Sequence, residues 1–142
     1  MKIKCLKNNK SLPKYQTGGS SGMDLTAGID EAVELKPLER KLIPTGISIE
    51  LPLGYEAQVR ARSGLSVKHG ITLINAIGTI DSDYRGEVCV GLINLSDQTY
   101  TINPNDRIAQ MVIMKVEKAE IEVEAELTST QRGSGGFGST GY

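Results

Sequence analysis

An all-β domain, arranged as a sandwich, jelly roll or barrel, is the fold this sequence predicts. Three observations point there. Apolar and polar residues alternate with a period of two in several stretches, turn-forming residues separate those stretches, and only one short segment reads as a helix.

The alternation is clear at Ile47, Ile49 and Leu51, set between Ser48 and Glu50. It recurs at Tyr55, Ala57, Val59 and Ala61, which alternate with Glu56, Gln58, Arg60 and Arg62. A third case is Ala119, Ile121, Val123, Ala125 and Leu127, interleaved with Glu120, Glu122, Glu124 and Glu126. Strands of this kind bury one face and wet the other. Two further runs, Val88–Ile93 and Ile108–Met114, are apolar nearly throughout, apart from Gln110 in the second. A strand apolar on both faces needs cover on both. A sandwich interior or a second subunit can supply it. Turn residues punctuate the chain at Pro13, Gly18-Gly19, Pro37, Pro52-Leu53-Gly54, Ser96-Asp97 and Pro104-Asn105-Asp106. Residues 63–70 read as about two turns of helix, with Ser63 as N-cap and Gly70 as stop.

The chain has 142 residues, which suits one domain with a core that needs no disulfide staples. Sixteen Lys and Arg against 17 Asp and Glu give a net charge of -1. That balance offers no basic footprint for nucleic acid and no polycationic face for a membrane. An anionic ligand would be held by local groups. Two cysteines, Cys5 and Cys89, stand far apart in apolar stretches, beside a single histidine, His69. A thiolate metal site is not expected, and a reducing compartment is. The first residues are too charged for a signal peptide, and no apolar run approaches a membrane span, so a cytoplasmic protein is expected.

Composition divides the chain into a core at 1–127 and an arm at 128–142. The arm contains five glycines and the one Phe, Phe137, not far from Arg132. Such a segment cannot build a core of its own. It reads as a flexible arm whose Arg132, Ser139 and Thr140, with free backbone N–H groups, suit closure over an anionic ligand with a ring to stack on.

Three constellations carry chemistry. Arg62-Ser63-Gly64 lies where a strand gives way to the helix. Unpaired N–H groups there, a glycine that lets backbone come close and a guanidinium fork all suit a phosphate. Residues 77–87 read as a β-hairpin in which Gly78 and Gly86 bracket an acidic turn. In one reading Asp81 is a general base and Tyr84 a stacking platform. In the other the acidic residues cap their own turn. Finally, Asp24 follows a glycine turn, Asn75 sits on the strand approaching the hairpin, and Gln110 is a lone amide in an apolar strand that needs hydrogen-bond partners.

Taken together and in order, these pieces resemble the five motifs of the trimeric deoxyuridine triphosphatase (dUTPase) family. The motifs are residues 21–25, 62–66, 75–87, 106–111 and 132–141, so the resemblance spans almost the whole chain. Departures are few: Ser21 stands where Ala is usual, Ala61 where Pro is usual and Ser66 where Ala is common. None removes a functional group.

The resemblance implies a distorted jelly-roll or β-barrel-like sandwich forming a homotrimer. It implies hydrolysis of dUTP to dUMP and pyrophosphate, an activity that limits uracil in DNA and supplies dUMP for thymidylate synthesis. Asp81 would activate the attacking water. Mg²⁺ would be held by triphosphate oxygens, with Asp24 reaching it through water. Arg62, Ser63, Gly64 and Gln110 would hold phosphates. Asn75 and the backbone of Gly78, Thr79 and Ile80 would read uracil, and Tyr84 would pack under the sugar. From the arm, Phe137 would stack on the base, while Arg132, Ser134, Gly135, Gly138, Ser139 and Thr140 complete the site. Each site would use residues from all three chains. A dCTP deaminase-like enzyme and a non-catalytic nucleotide-binding regulator are the alternatives. The deaminase family differs in the second motif and in a Glu arrangement not found here.

Overall fold

The computed structural model describes residues 1–7 and 11–136. Among these residues the chain forms ten strands and one helix. They are β1 (Lys4–Lys7), β2 (Met23–Thr26), β3 (Val33–Leu35), β4 (Arg40–Glu50), β5 (Tyr55–Arg60), α1 (Ser63–His69), β6 (Ile71–Leu73), β7 (Ile77–Ile80), β8 (Glu87–Asn94), β9 (Tyr100–Ile102) and β10 (Arg107–Lys115). Two four-stranded antiparallel sheets, ordered β1-β4-β8-β6 and β2-β10-β5-β7, share one core, and β3-β9 forms a small third ribbon.

The period-two pattern sets which side chains enter that core. Ile47 and Ile49 from β4 and Ala57 and Val59 from β5 are buried, as the alternation predicts. β8 alternates as well: Val88, Val90, Leu92 and Asn94 are buried, while Cys89, Gly91 and Ile93 are only half-covered. Its second apolar face therefore lacks full cover within one chain. In β10 the long apolar run has a local cause. The ladder to β2 shifts between Arg107 and Ala109, so Ile108 and Ala109 are both buried across a bulge. Buried Asn94 is satisfied by donating to the Leu35 and Gln98 carbonyls and accepting from Ser96.

The structure corrects four expectations. Arg62, not Ser63, is the N-cap of α1, and Ser63 is its first helical residue. Gly70 does end the helix, in the left-handed conformation at φ 67°, with its N–H on the Ser66 carbonyl at 3.0 Å. Residues 77–87 are not a hairpin. β7 pairs with β5 in one sheet and β8 pairs with β4 and β6 in the other, so residues 81–86 cross between sheets. Asn75 lies in the turn between β6 and β7, not on a strand, next to Ala76 at φ 58°. Lastly, residues 119–127 form no strand, and Ile121, Val123 and Leu127 are 84%, 92% and 90% exposed. Alternation prepares a segment to be half-buried; here no neighbouring strand of the same chain takes it up.

Candidate active site

Two groups of side chains form, at separate places. The first gathers at the β2-β10 edge where β5 runs into α1. Asp24 on β2 faces Gln110 on β10 as ladder partners. Its carboxylate lies 3.3 Å from Arg62 Nε and 3.1 Å from Arg107 Nη1. The Asp24 side chain is only 14% exposed, so two guanidiniums share one sheltered negative charge. Arg62 also donates from Nη1 to the Arg107 carbonyl at 2.9 Å. Gln110 donates from Nε2 to the Ala61 carbonyl at 3.0 Å, tying β10 to the strand-helix junction. At Gly22 the backbone runs close to Gln110: a Cβ would stand 2.7 Å from its amide oxygen, so the amide would have to shift. The opposite holds at Gly64, where an added Cβ would meet no atom of the described residues within 4 Å. Packing within one chain does not demand glycine there.

The second group lies where β7 hands over to β8. Thr79, Ile80, Asp81 and Tyr84 line a cleft of about 310 Å³ together with Leu42, Glu87 and Cys89. Asp81 and Tyr84 are exposed. The crossing loop is held by contacts within itself: Tyr84 N–H reaches the Asp81 carbonyl at 3.2 Å, and the Arg85 side chain donates from Nη1 to the Ser82 and Tyr84 carbonyls at 2.7 and 2.9 Å. The Tyr84 hydroxyl donates to the Glu87 carbonyl at 3.0 Å. Burial, with the Glu87 carboxylate adding to it, pushes the thiol of Cys89 in the same cleft up from its ordinary value. Gly78, paired with Val59, has the Asn75 amide close beside it, 3.4 Å from where a Cβ would stand.

These two groups do not meet within one chain. Asp24, Gln110, Arg60 and Ile77 are ladder partners in a row across β2, β10, β5 and β7, and Asp81 lies four residues beyond Ile77. Three strand spacings sideways and four residues along separate Asp24 from Asp81 by roughly 20 Å. Of the arm residues, Arg132, Ser134 and Gly135 are outside all strands, and Arg132 Nε donates to the Gly135 carbonyl at 2.9 Å. Phe137, Gly138, Ser139 and Thr140 lie outside the described residues. Arg107 and Glu87 fall inside the fourth and third motif segments, but sequence reading gave neither a role. The partner of Arg107, Asp24, is 83 residues away, and Glu87 reads as an ordinary polar residue opening a strand.

Residues 8–141 match the family model for dUTPase. The chain belongs to the dUTPase family. It is similar to the deoxyuridine 5'-triphosphate nucleotidohydrolase of Finegoldia magna, 59% identical over 143 residues that span 100% of both chains. Among solved structures, the dUTPase of Staphylococcus bacteriophage 80alpha, in a variant solved with dUpNHpp, is 25% identical with a TM-score of 0.84 and covers 99% of this chain and 98% of its own. A variant dUTPase from phage phi11 of S. aureus, described with a coordinated structural Mg(II) ion, is 25% identical with a TM-score of 0.79, covering 89% and 98%. The dUTPase match does not favour the deaminase and regulator alternatives. No helix among the described residues is long and apolar enough to cross a membrane.

Proposed function

We propose that this chain hydrolyses dUTP to dUMP and pyrophosphate, with water attacking the α-phosphorus. The observation that carries the reading is the Asp81–Tyr84 cleft in a chain of the dUTPase family. Asp81 accepts the proton of the attacking water, a task for an accessible carboxylate. Tyr84, with its hydroxyl tied to the Glu87 carbonyl, offers its ring to the deoxyribose and leaves no room for a 2′-hydroxyl. The turn at Asn75 and the backbone of Gly78, Thr79 and Ile80 read the uracil edge. The vacant approach at Gly64 suits close contact between phosphate oxygens and the first N–H groups of α1, next to Ser63. Arg62 and Gln110 hold the remaining phosphate charge in place.

Mg²⁺ fits these residues in one mode. Among the described residues no three carboxylates, imidazoles or thiolates converge, so no all-protein cage exists there. Asp24 is a single hard oxygen donor at the phosphate corner, which suits an ion held mainly by substrate oxygens and water. Bound with the triphosphate, the ion supplies charge neutralisation on the phosphoryl oxygens. Loading it would ask Asp24 to share one of its two oxygens, each now engaged by one arginine.

The protein works as a homotrimer. The roughly 20 Å between Asp24 and Asp81 in one chain supports this, because a triphosphate reaction needs both corners at one substrate. Two unsatisfied apolar surfaces support it too: exposed Leu42 beside half-covered Cys89 and Gly91, and the alternating segment at Ile121 and Val123. The last strand of the core ends at Lys115, the body of the protein runs to 127, and residues 128–142 serve as an arm that closes over the substrate, with Phe137 on the base, Arg132, Ser139 and Thr140 toward the phosphates, and Ser134, Gly135 and Gly138 completing the site. A cytoplasmic setting suits the two free cysteines.

The test is direct. Incubated with Mg²⁺ and dUTP, dCTP, dTTP or UTP in separate reactions, the protein should release pyrophosphate from dUTP alone. Ammonia from dCTP, or equal consumption of UTP and dTTP, would overturn the reading.

A further inference from the structure

Glu87 opens β8 and touches two structures that no motif connects. Its carboxylate Oε1 accepts the Gly46 N–H at 2.6 Å in a part-buried contact. Gly46 lies in an irregularity of β4, at φ 73°, where the ladder to β8 shifts between Pro44 and Ser48. Pro44 faces Cys89 and Ser48 faces Glu87, so the β4 side carries two residues more than the β8 side. Backbone groups in such a bulge lose their ladder partners and need others. The Thr45 hydroxyl takes the Val88 carbonyl, and Glu87 takes the Gly46 N–H.

The main chain of Glu87 faces the other structure. Its carbonyl accepts the Tyr84 hydroxyl at 3.0 Å. Between them, Gly86 has no space for a side chain, because a Cβ there would collide with the Tyr84 hydroxyl and ring. The ring thus rests over Gly86 with its hydroxyl anchored to Glu87. Tyr84, Glu87, Asp81 and Thr79 all line the same cleft.

We infer that Glu87 is a positioning residue for sugar discrimination: its side chain clamps the β4 bulge, which fixes its carbonyl, which fixes the tilt of the Tyr84 ring. This rests on the proposed role of Tyr84 at the sugar. An anchored ring is a hard wall, and steric rejection of a 2′-hydroxyl depends on that wall not yielding. Without the carboxylate, the Gly46 N–H loses its partner and the start of β8 is freed to shift.

The experiment compares kcat/KM for dUTP and for UTP in Glu87→Ala, Glu87→Gln and Tyr84→Phe, with thermal melting of each. Glu87→Ala is expected to lower the dUTP-over-UTP preference about tenfold, mainly by lowering the KM for UTP. Glu87→Gln keeps an oxygen acceptor for Gly46 and should keep the wild-type preference. Tyr84→Phe cuts the same link from the ring end and should lower the preference even if Glu87→Ala fails to fold. A folded Glu87→Ala with unchanged preference overturns the proposal, as does an unchanged preference in Tyr84→Phe. Wild-type enzyme that consumes UTP as readily as dUTP would instead refute the assignment of Tyr84, and wild type inert toward dUTP would refute the proposed function.

Discussion

Asp24 and Asp81 are both single carboxylates at proposed reaction corners, yet the chain builds their surroundings in opposite ways. Asp24 is 14% exposed and bound by two arginines from distant segments, with Gln110 bridging β10 to the strand-helix junction beside it. The corner is cross-linked before any substrate arrives. Asp81 stands exposed on a loop that crosses between sheets, held by contacts among residues 81–87. The difference teaches where the proposed trimer would call on a second chain. A phosphate corner can be preorganised within one sandwich, because its charges satisfy each other across the sheet. A base that handles water has to stay reachable, and under the proposed trimer its cover would come from another chain.

Four measurements sharpen or break this contrast. Replacing Asp81 by Asn should lower kcat about 10³-fold, within the usual range for a lost general base, while binding of a non-hydrolysable dUTP analogue and the melting temperature stay near wild type. A variant with wild-type turnover would end the role given to Asp81. Deleting residues 131–142 should reduce turnover about 10²-fold without unfolding the core, since the described part of that segment lies outside every strand. Normal turnover in the truncated protein would remove the arm from the mechanism.

Asp24→Asn is expected to act on both stability and substrate use, unlike Asp81→Asn. Loss of the shared charge leaves Arg62 and Arg107 facing each other, at a cost of about 1–2 kcal/mol, below the figure for a fully buried pair because Arg107 is half-exposed. Urea unfolding alongside kinetics separates the two effects, and unchanged stability would mean the corner is less cross-linked than its distances suggest. The smallest effect concerns Cys89. Its folded-state thiol is raised above 9.0 by burial and then by Glu87, so the protonated form is favoured by folding. The resulting stabilisation is present below pH 9 and fades as pH rises through the folded value. Thiol alkylation at pH 8 should therefore be slower than in the urea-unfolded chain, and equal rates would show that the Asp81 cleft is more open than described.

Much of the fold was legible. Ile47, Ile49, Ala57 and Val59 are buried where the alternation put them, and Gly70 stops the helix where a glycine at φ 67° can. The same rule failed at Ile121 and Val123, whose pattern is equally regular. Alternation states that a strand is ready to be half-buried, not that this chain contains its partner. The residues proposed for the site were legible as residue types in order, whereas the contacts of Arg107 and Glu87 were not, since each is made with a residue distant in sequence.

What the sequence determined by itself is local and chemical: strand faces, the helix stop, the stock of carboxylate, guanidinium and ring, and the family they belong to. Only the tertiary structure decided that β7 joins β5 while β8 joins β4, which turns an apparent hairpin into a crossing loop. It alone put Asp24 between two arginines and kept it far from Asp81. The reason is physical. Period and propensity act over neighbouring residues, but ladder pairing and ion pairing are chosen by competition among segments that only the packed chain brings together.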